Sequence, residues 1–155
     1  MQIDTQEKLS IQVAMGWVML LLVLTVSLVM MIVAGIVAND GFTVMRADPG
    51  KGGMMLLVYV FGVYAVMPIA VTLAQRTRAA AARWAVTVMS VLLFLFFFVH
   101  HLSHWTAGER PNFNSHFLEV AHHIIAVWVI YSSVRWARTA SAARAGSSAS
   151  APVAA

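Results

Sequence analysis

The sequence predicts an all-α protein, an integral membrane four-helix bundle. Two observations carry this prediction. Of 155 residues, 61% are hydrophobic and only 10% are charged, whereas soluble domains carry about a quarter charged residues. Four apolar runs, each near or above the ~20 residues that cross a bilayer as a helix, are separated by polar breaks. The expected spans are about residues 11–38, 54–74, 84–104 and 115–135. They form one domain over 1–138, followed at 139–155 by a disordered cytoplasmic tail of alanine and serine without apolar periodicity.

Each element has its own signals. Asp4, with Glu7 three residues on, marks a helix start with a capping partner. The apolar run that follows, Ile11 to Ala38, is far longer than a signal-peptide core and has no positive flank, so an uncleaved helix is expected. Within it Gly16 and Gly35 are small enough for close helix contact. Residues 39–53, NDGFTVMRADPGKGG, read as a loop through their glycines and Pro49. GKGG there lacks the spacing of a phosphate-binding loop and follows no strand. Pro68 falls inside the second span and removes a helical hydrogen bond near Tyr64. The third span runs from Trp84 through VLLFLFFFV, and the fourth from Ser115 to the SSVRWAR segment.

Topology follows from lysine and arginine beside the spans. One side collects Lys8, Arg76, Arg78, Arg83, Arg135, Arg138 and Arg144; the other has Arg46, Lys51 and Arg110. The richer side is expected in the cytoplasm with both termini. The loop at 39–53 and the connection between spans three and four then face outward, the periplasm for a bacterial inner membrane. Trp84 and Trp136 each follow an arginine and fit an aromatic belt at the cytoplasmic interface.

Composition also excludes. Without cysteine there is no disulfide, thiolate metal site or cysteine catalysis. The net charge of +4 reads as a topology signal rather than a nucleic-acid surface, because no aromatic-studded basic patch accompanies it. No pairing of nucleophile and base stands out, so an enzyme is not the expected reading.

The chemistry concentrates between Val99 and Ile124, VHHLSHWTAGERPNFNSHFLEVAHHI, which holds all six histidines: His100, His101, His104, His116, His122 and His123. Imidazole and carboxylate near lipid face a protein interior, a water cavity or an ion. If Arg83 and Arg135 lie at similar depth, a rise of ~1.5 Å per residue puts His100, His101 and His104 about 25, 27 and 31 Å above that plane. On the antiparallel fourth helix, His116 lies at about 28 Å, Glu119 at about 24 Å and His122–His123 at about 18–20 Å. The last two then sit opposite Phe96 and Phe97.

Helical angle selects among them. His100 and His104 share one face of the third helix; His116, Glu119 and His123, at i, i+3 and i+7, share one face of the fourth. The expected metal site is therefore His100, His104, His116, Glu119 and His123, with His122 turned aside. Such donors suit copper or zinc, and Met45, Met54 and Met55 on the same side lean toward copper. The competing plain reading is a set of snorkelling interfacial histidines, with Glu119 favoured by the helix dipole.

The expected function is a small membrane protein with a histidine-rich copper or zinc site at its outer face, serving metal handling or delivery. Its partners are membrane lipid, the metal ion and either a partner membrane subunit or a second copy of the chain, without nucleic acid. One alternative is a b-type haem protein with histidines of helices three and four clamping the iron; another is a non-catalytic accessory subunit. His100–His104 reads H-H-x-x-H, the reverse of the H-x-x-H-H clusters of membrane desaturases and hydroxylases. The other blocks of those enzymes are missing, so a di-metal oxygenase is not adopted.

Overall fold

The computed structural model describes residues 4–37, 62, 64–77, 79–106 and 113–149 of the chain, the side chains of 31, 32, 34–37, 104, 105, 113–116 and 141–149 excepted. Every described element is helical. The four described helices are α1 Thr5–Val37, α2 Tyr64–Arg76, α3 Ala80–Thr106 and α4 Phe113–Ala149. The segments Thr5–Met30, Ala80–Ser103 and Phe117–Ala140 are long and apolar enough to cross a membrane. The expected second span is described only from Tyr64 onward. The loop at 39–53, the methionines 45, 54 and 55, and an expected docking of the 105–114 hairpin on the outer end of the second helix lie outside the described residues.

Asp4 caps α1, accepting from the Gln6 amide through Oδ1 at 3.4 Å and from the Lys8 amide through its carbonyl at 2.9 Å. At 33 residues α1 spans ~50 Å, longer than the ~30 Å of a hydrocarbon core. Pro68 lies within α2, where its missing N–H cannot bond the Tyr64 carbonyl. The Tyr64 hydroxyl ties α2 to α1 by donating to Thr25 Oγ1 at 3.0 Å. Thr77 closes α2 by its amide to Leu73 and steadies the start of α3 through the Ala79 amide, 3.2 Å from its hydroxyl.

The outer face is apolar and the interior is mixed, with Trp17, Leu20, Met67 and Trp136 buried beside polar side chains. Leu22, Leu92, Val99, Phe117, Ile124 and Tyr131 are each more than half exposed, while Arg83, Thr87, Ser90, His122, Ser132 and Ser133 are buried. Exposed large apolar side chains, with some polar ones between the helices, suit a lipid surrounding, since lipid contributes no hydrophobic drive for burying leucine. α1 approaches α4 at Gly16: a Cβ there would meet Val129 Cγ2 at 2.5 Å and Trp128 Cζ3 at 2.8 Å. Glycine allows the two backbones to come this close.

Two expectations are corrected. Residues 139–149, expected to be irregular, are helical: α4 continues to Ala149, because an alanine-rich run such as ARTASAARA has high intrinsic helix propensity and needs no apolar periodicity to extend an existing helix. Trp136 is not a belt residue but is buried. Arg83 is buried with it, its Cζ 5.0 Å from the centre of the Trp136 ring. Trp84, 41% exposed, does face outward.

Candidate functional site: imidazoles between α3 and α4

The register of the α3–α4 pair is set at one end by Arg83. Its Nη1 donates to the Trp136 carbonyl at 3.3 Å and to Thr139 Oγ1 at 3.2 Å, and its Nη2 donates to Gln6 Oε1 of α1 at 3.2 Å. Further along, Ser90 and Ser133 approach within 3.5 Å through their hydroxyls. Next, Phe97 packs edge-on against His122, ring centres 4.5 Å apart. The same number of residues separates Arg83 from Phe97 as separates Trp136 from His122, so the helices keep level over this whole stretch. The depth that the sequence predicts for His122, opposite Phe97, is the depth observed.

Three imidazoles gather at that level. Ring centres are 5.0 Å apart for His101 and His123, 5.5 Å for His122 and His123, and 6.3 Å for His101 and His122. Phe94 and Phe98 stack on each other and each present an edge contact to His123. Phe97 also lies 6.1 Å from His101. The cluster is therefore walled by phenyl rings, and His122 is 2% exposed.

Hydrogen bonding distinguishes the three. His123 Nδ1 lies 2.7 Å from the Glu119 carbonyl, one turn back. A carbonyl only accepts, so Nδ1 carries the proton and Nε2 carries the lone pair. That Nε2 is buried and has no hydrogen-bond partner among the described residues; the same holds for both ring nitrogens of His122. Each buried polar group left in this state costs about 1–3 kcal/mol. An imidazole whose far nitrogen is fixed on a carbonyl while the near one is left available is also how metal-ligating histidines are oriented.

The expected set meets the structure unevenly. His123 stands in the cluster. His100 is half-buried beside it, its ring 5.6 Å from that of His101. Glu119 contributes its carbonyl to His123. His104 and His116 are level by the helix register, but their side chains lie outside the described residues. His122, expected to turn aside, is the most deeply buried histidine among those described, and His101, absent from the expected set, contacts both His122 and His123.

A signal for both existed in the chain. The buried stripe of α3 steps through Arg83, Thr87, Ser90 and Phe97, and three- and four-residue steps carry it to His101. The buried stripe of α4 steps back from Trp136 through Ser133, Val129 and Ala126 to His122. Small polar residues mark the seam between membrane helices, and following them finds these two histidines.

With zinc–nitrogen bonds of 2.0–2.1 Å, three imidazoles around one ion have ring centres ~5–5.5 Å apart; the two pairs with His123, at 5.0 and 5.5 Å, lie in that range and His101–His122, at 6.3 Å, lies beyond it. Their aim differs: as the side chains stand, no three His, Asp or Glu groups among the described residues are arranged to hold one ion. No family model, curated protein or solved structure matches the chain.

Proposed function

We propose that the chain is a small integral membrane protein that binds a transition-metal ion, copper or zinc, and serves metal handling or delivery rather than catalysis. The observation that supports it best is the pair His122–His123. Three of their four ring nitrogens are buried between two membrane helices without a hydrogen-bond partner among the described residues, beside a third imidazole. Polar groups left this way are costly, and a ligand that accepts their lone pairs offsets the cost. His123 would bind through Nε2, with His122 and His101 as the neighbouring donors; His100, His104, His116 and Glu119 supply further imidazole and carboxylate toward the hairpin end. Neutral imidazole is the binding form, so protons compete with the ion for these nitrogens.

In this reading the protein sits in a bacterial inner membrane with four spans, both termini in the cytoplasm and the histidine hairpin toward the periplasm, where it meets lipid, the ion and a partner subunit or a second copy. The haem alternative is less well supported. His100 and His123 differ in depth by about 7 Å along the helices, whereas two ligands of one upright haem need similar depth.

Elemental analysis and a visible spectrum of protein purified in detergent without a polyhistidine tag test the reading. Stoichiometric zinc or copper without a Soret band is expected. A Soret band would replace it with the haem reading, and a colourless protein that takes up neither metal would leave the accessory-subunit reading.

A further inference from the structure

We infer that the α3–α4 pair carries a binding site for an anionic phospholipid, with an acyl chain in the groove beside Phe98 and Val127 and the phosphate on Arg135 and Arg138. This rests on the chain's lying in a membrane and is independent of the metal reading.

Phe94 and Phe98 of α3, with Val120, His123, Ile124 and Val127 of α4, line an open, mostly apolar groove on the surface of the pair. From it one face of α4 continues in three- and four-residue steps through Val120, Ile124, Val127, Tyr131, Arg135 and Arg138. All six are exposed. The face is apolar over its first three positions and ends on a tyrosine and two arginines. α1 packs on the other flank of α4, where Gly16 meets Trp128 and Val129, and leaves this face to the surroundings.

The spacing matches one leaflet. Arg138 lies eleven residues past Val127, ~16 Å along the helix, and half of a ~30 Å hydrocarbon core is ~15 Å. A lipid whose phosphate meets Arg138 therefore ends its acyl chain in the groove. Trp84 of α3 precedes Phe98 by fourteen residues, just under four turns, so it shares the groove's flank. The register that joins Arg83 to Trp136 puts it level with Arg135, and its indole is 41% exposed. Charge complementarity selects an anionic lipid. The Arg135 guanidinium lies over the exposed Tyr131 ring, Cζ 5.5 Å from the ring centre, on the face that meets hydrocarbon, where a cation is costly unless paired. Neither helix supplies the pair, because no aspartate or glutamate occurs in Ala80–Thr106 or between Val120 and Arg138. Basic groups at the ends of membrane helices hold anionic headgroups.

The chain has no cysteine, so Val127→Cys and, as a control, Leu92→Cys each accept a single fluorophore. Leu92 is 60% exposed and borders a different surface of α3. The labelled full chain is reconstituted in phosphatidylcholine vesicles containing a minor share of tail-brominated phosphatidylglycerol, or of phosphatidylcholine with the same tails. Stronger quenching by phosphatidylglycerol at position 127 and equal quenching by the two lipids at position 92 are expected. Arg135→Gln combined with Arg138→Gln should lower the preference by about tenfold or more, since each basic residue near an anionic surface is worth about fivefold. The Arg135→Lys, Arg138→Lys pair keeps the charge and should keep most of the preference. Equal quenching at position 127, the same preference at position 92, or a preference that survives the glutamine pair overturns the site. Loss of the preference on adding inorganic phosphate at constant ionic strength overturns the lipid assignment in favour of a free anion. A chain that does not float with the vesicles overturns the membrane reading as well.

Discussion

At His122 a side chain with two polar nitrogens stands where a phenyl ring would pack better. It is 2% exposed, against Phe97, with neither nitrogen hydrogen-bonded among the described residues. Replacing such a group by an apolar one of similar shape relieves the penalty for unsatisfied groups. The His122→Phe variant should therefore melt in detergent, free of metal, at the same temperature as the parent or higher, while losing metal. A metal-free variant that melts well below the parent would mean His122 is a structural residue with partners of its own. Stability given up for function is expected at sites that bind. From sequence the depth of His122 is legible, since helix rise alone places it opposite Phe97. Its direction needs a further signal: angular bookkeeping along one helix shows which residues share a face, and the seam of small polar residues, Thr87 and Ser90 on α3 and Ser133 on α4, shows which face is inward.

The α3–α4 pair is fastened far from the imidazoles, and α1 braces it. Arg83 is 3% exposed and its donors reach two helices; hydrogen bonds from a charged group are worth about 1.5–3 kcal/mol each. Arg83→Gln should lower unfolding stability by at least about that amount, read from denaturant or thermal unfolding in detergent; an unchanged midpoint would show that the guanidinium is not a fastener. Gly16→Val forces new carbons into Val129 and Trp128, and overpacking of this kind costs about 1–3 kcal/mol; a variant as stable as the parent would mean that α1 does not rest on α4. The contact at Gly16 is foreseeable from its residue type. The burial of Arg83 is not, because an arginine beside a tryptophan at a span end has the same local pattern whether it faces headgroups or the bundle. The extension of α4 to Ala149 is likewise hidden from an apolar-periodicity reading, since alanine builds helix without it.

For the molecule as a whole, composition points to a membrane protein, and the exposed leucines, valines and phenylalanines of α1, α3 and α4 are consistent with it. The split of basic residues, seven to three, predicts that a reporter fused after Ala155 reads out in the cytoplasm; a periplasmic signal would reverse the orientation and turn the imidazole hairpin into the cell. Orientation and site are independent, and the central claim is that His101, His122 and His123 form a metal centre. The most direct measurement compares the metal-to-protein ratio of the untagged wild-type chain with that of the His101→Phe, His122→Phe double variant, after loading with zinc or copper(I) and gel filtration, with helicity checked by circular dichroism. A stoichiometric ion in the wild type and none in an equally helical variant is the predicted result; equal metal in the two proteins, or none in the wild type, would contradict it.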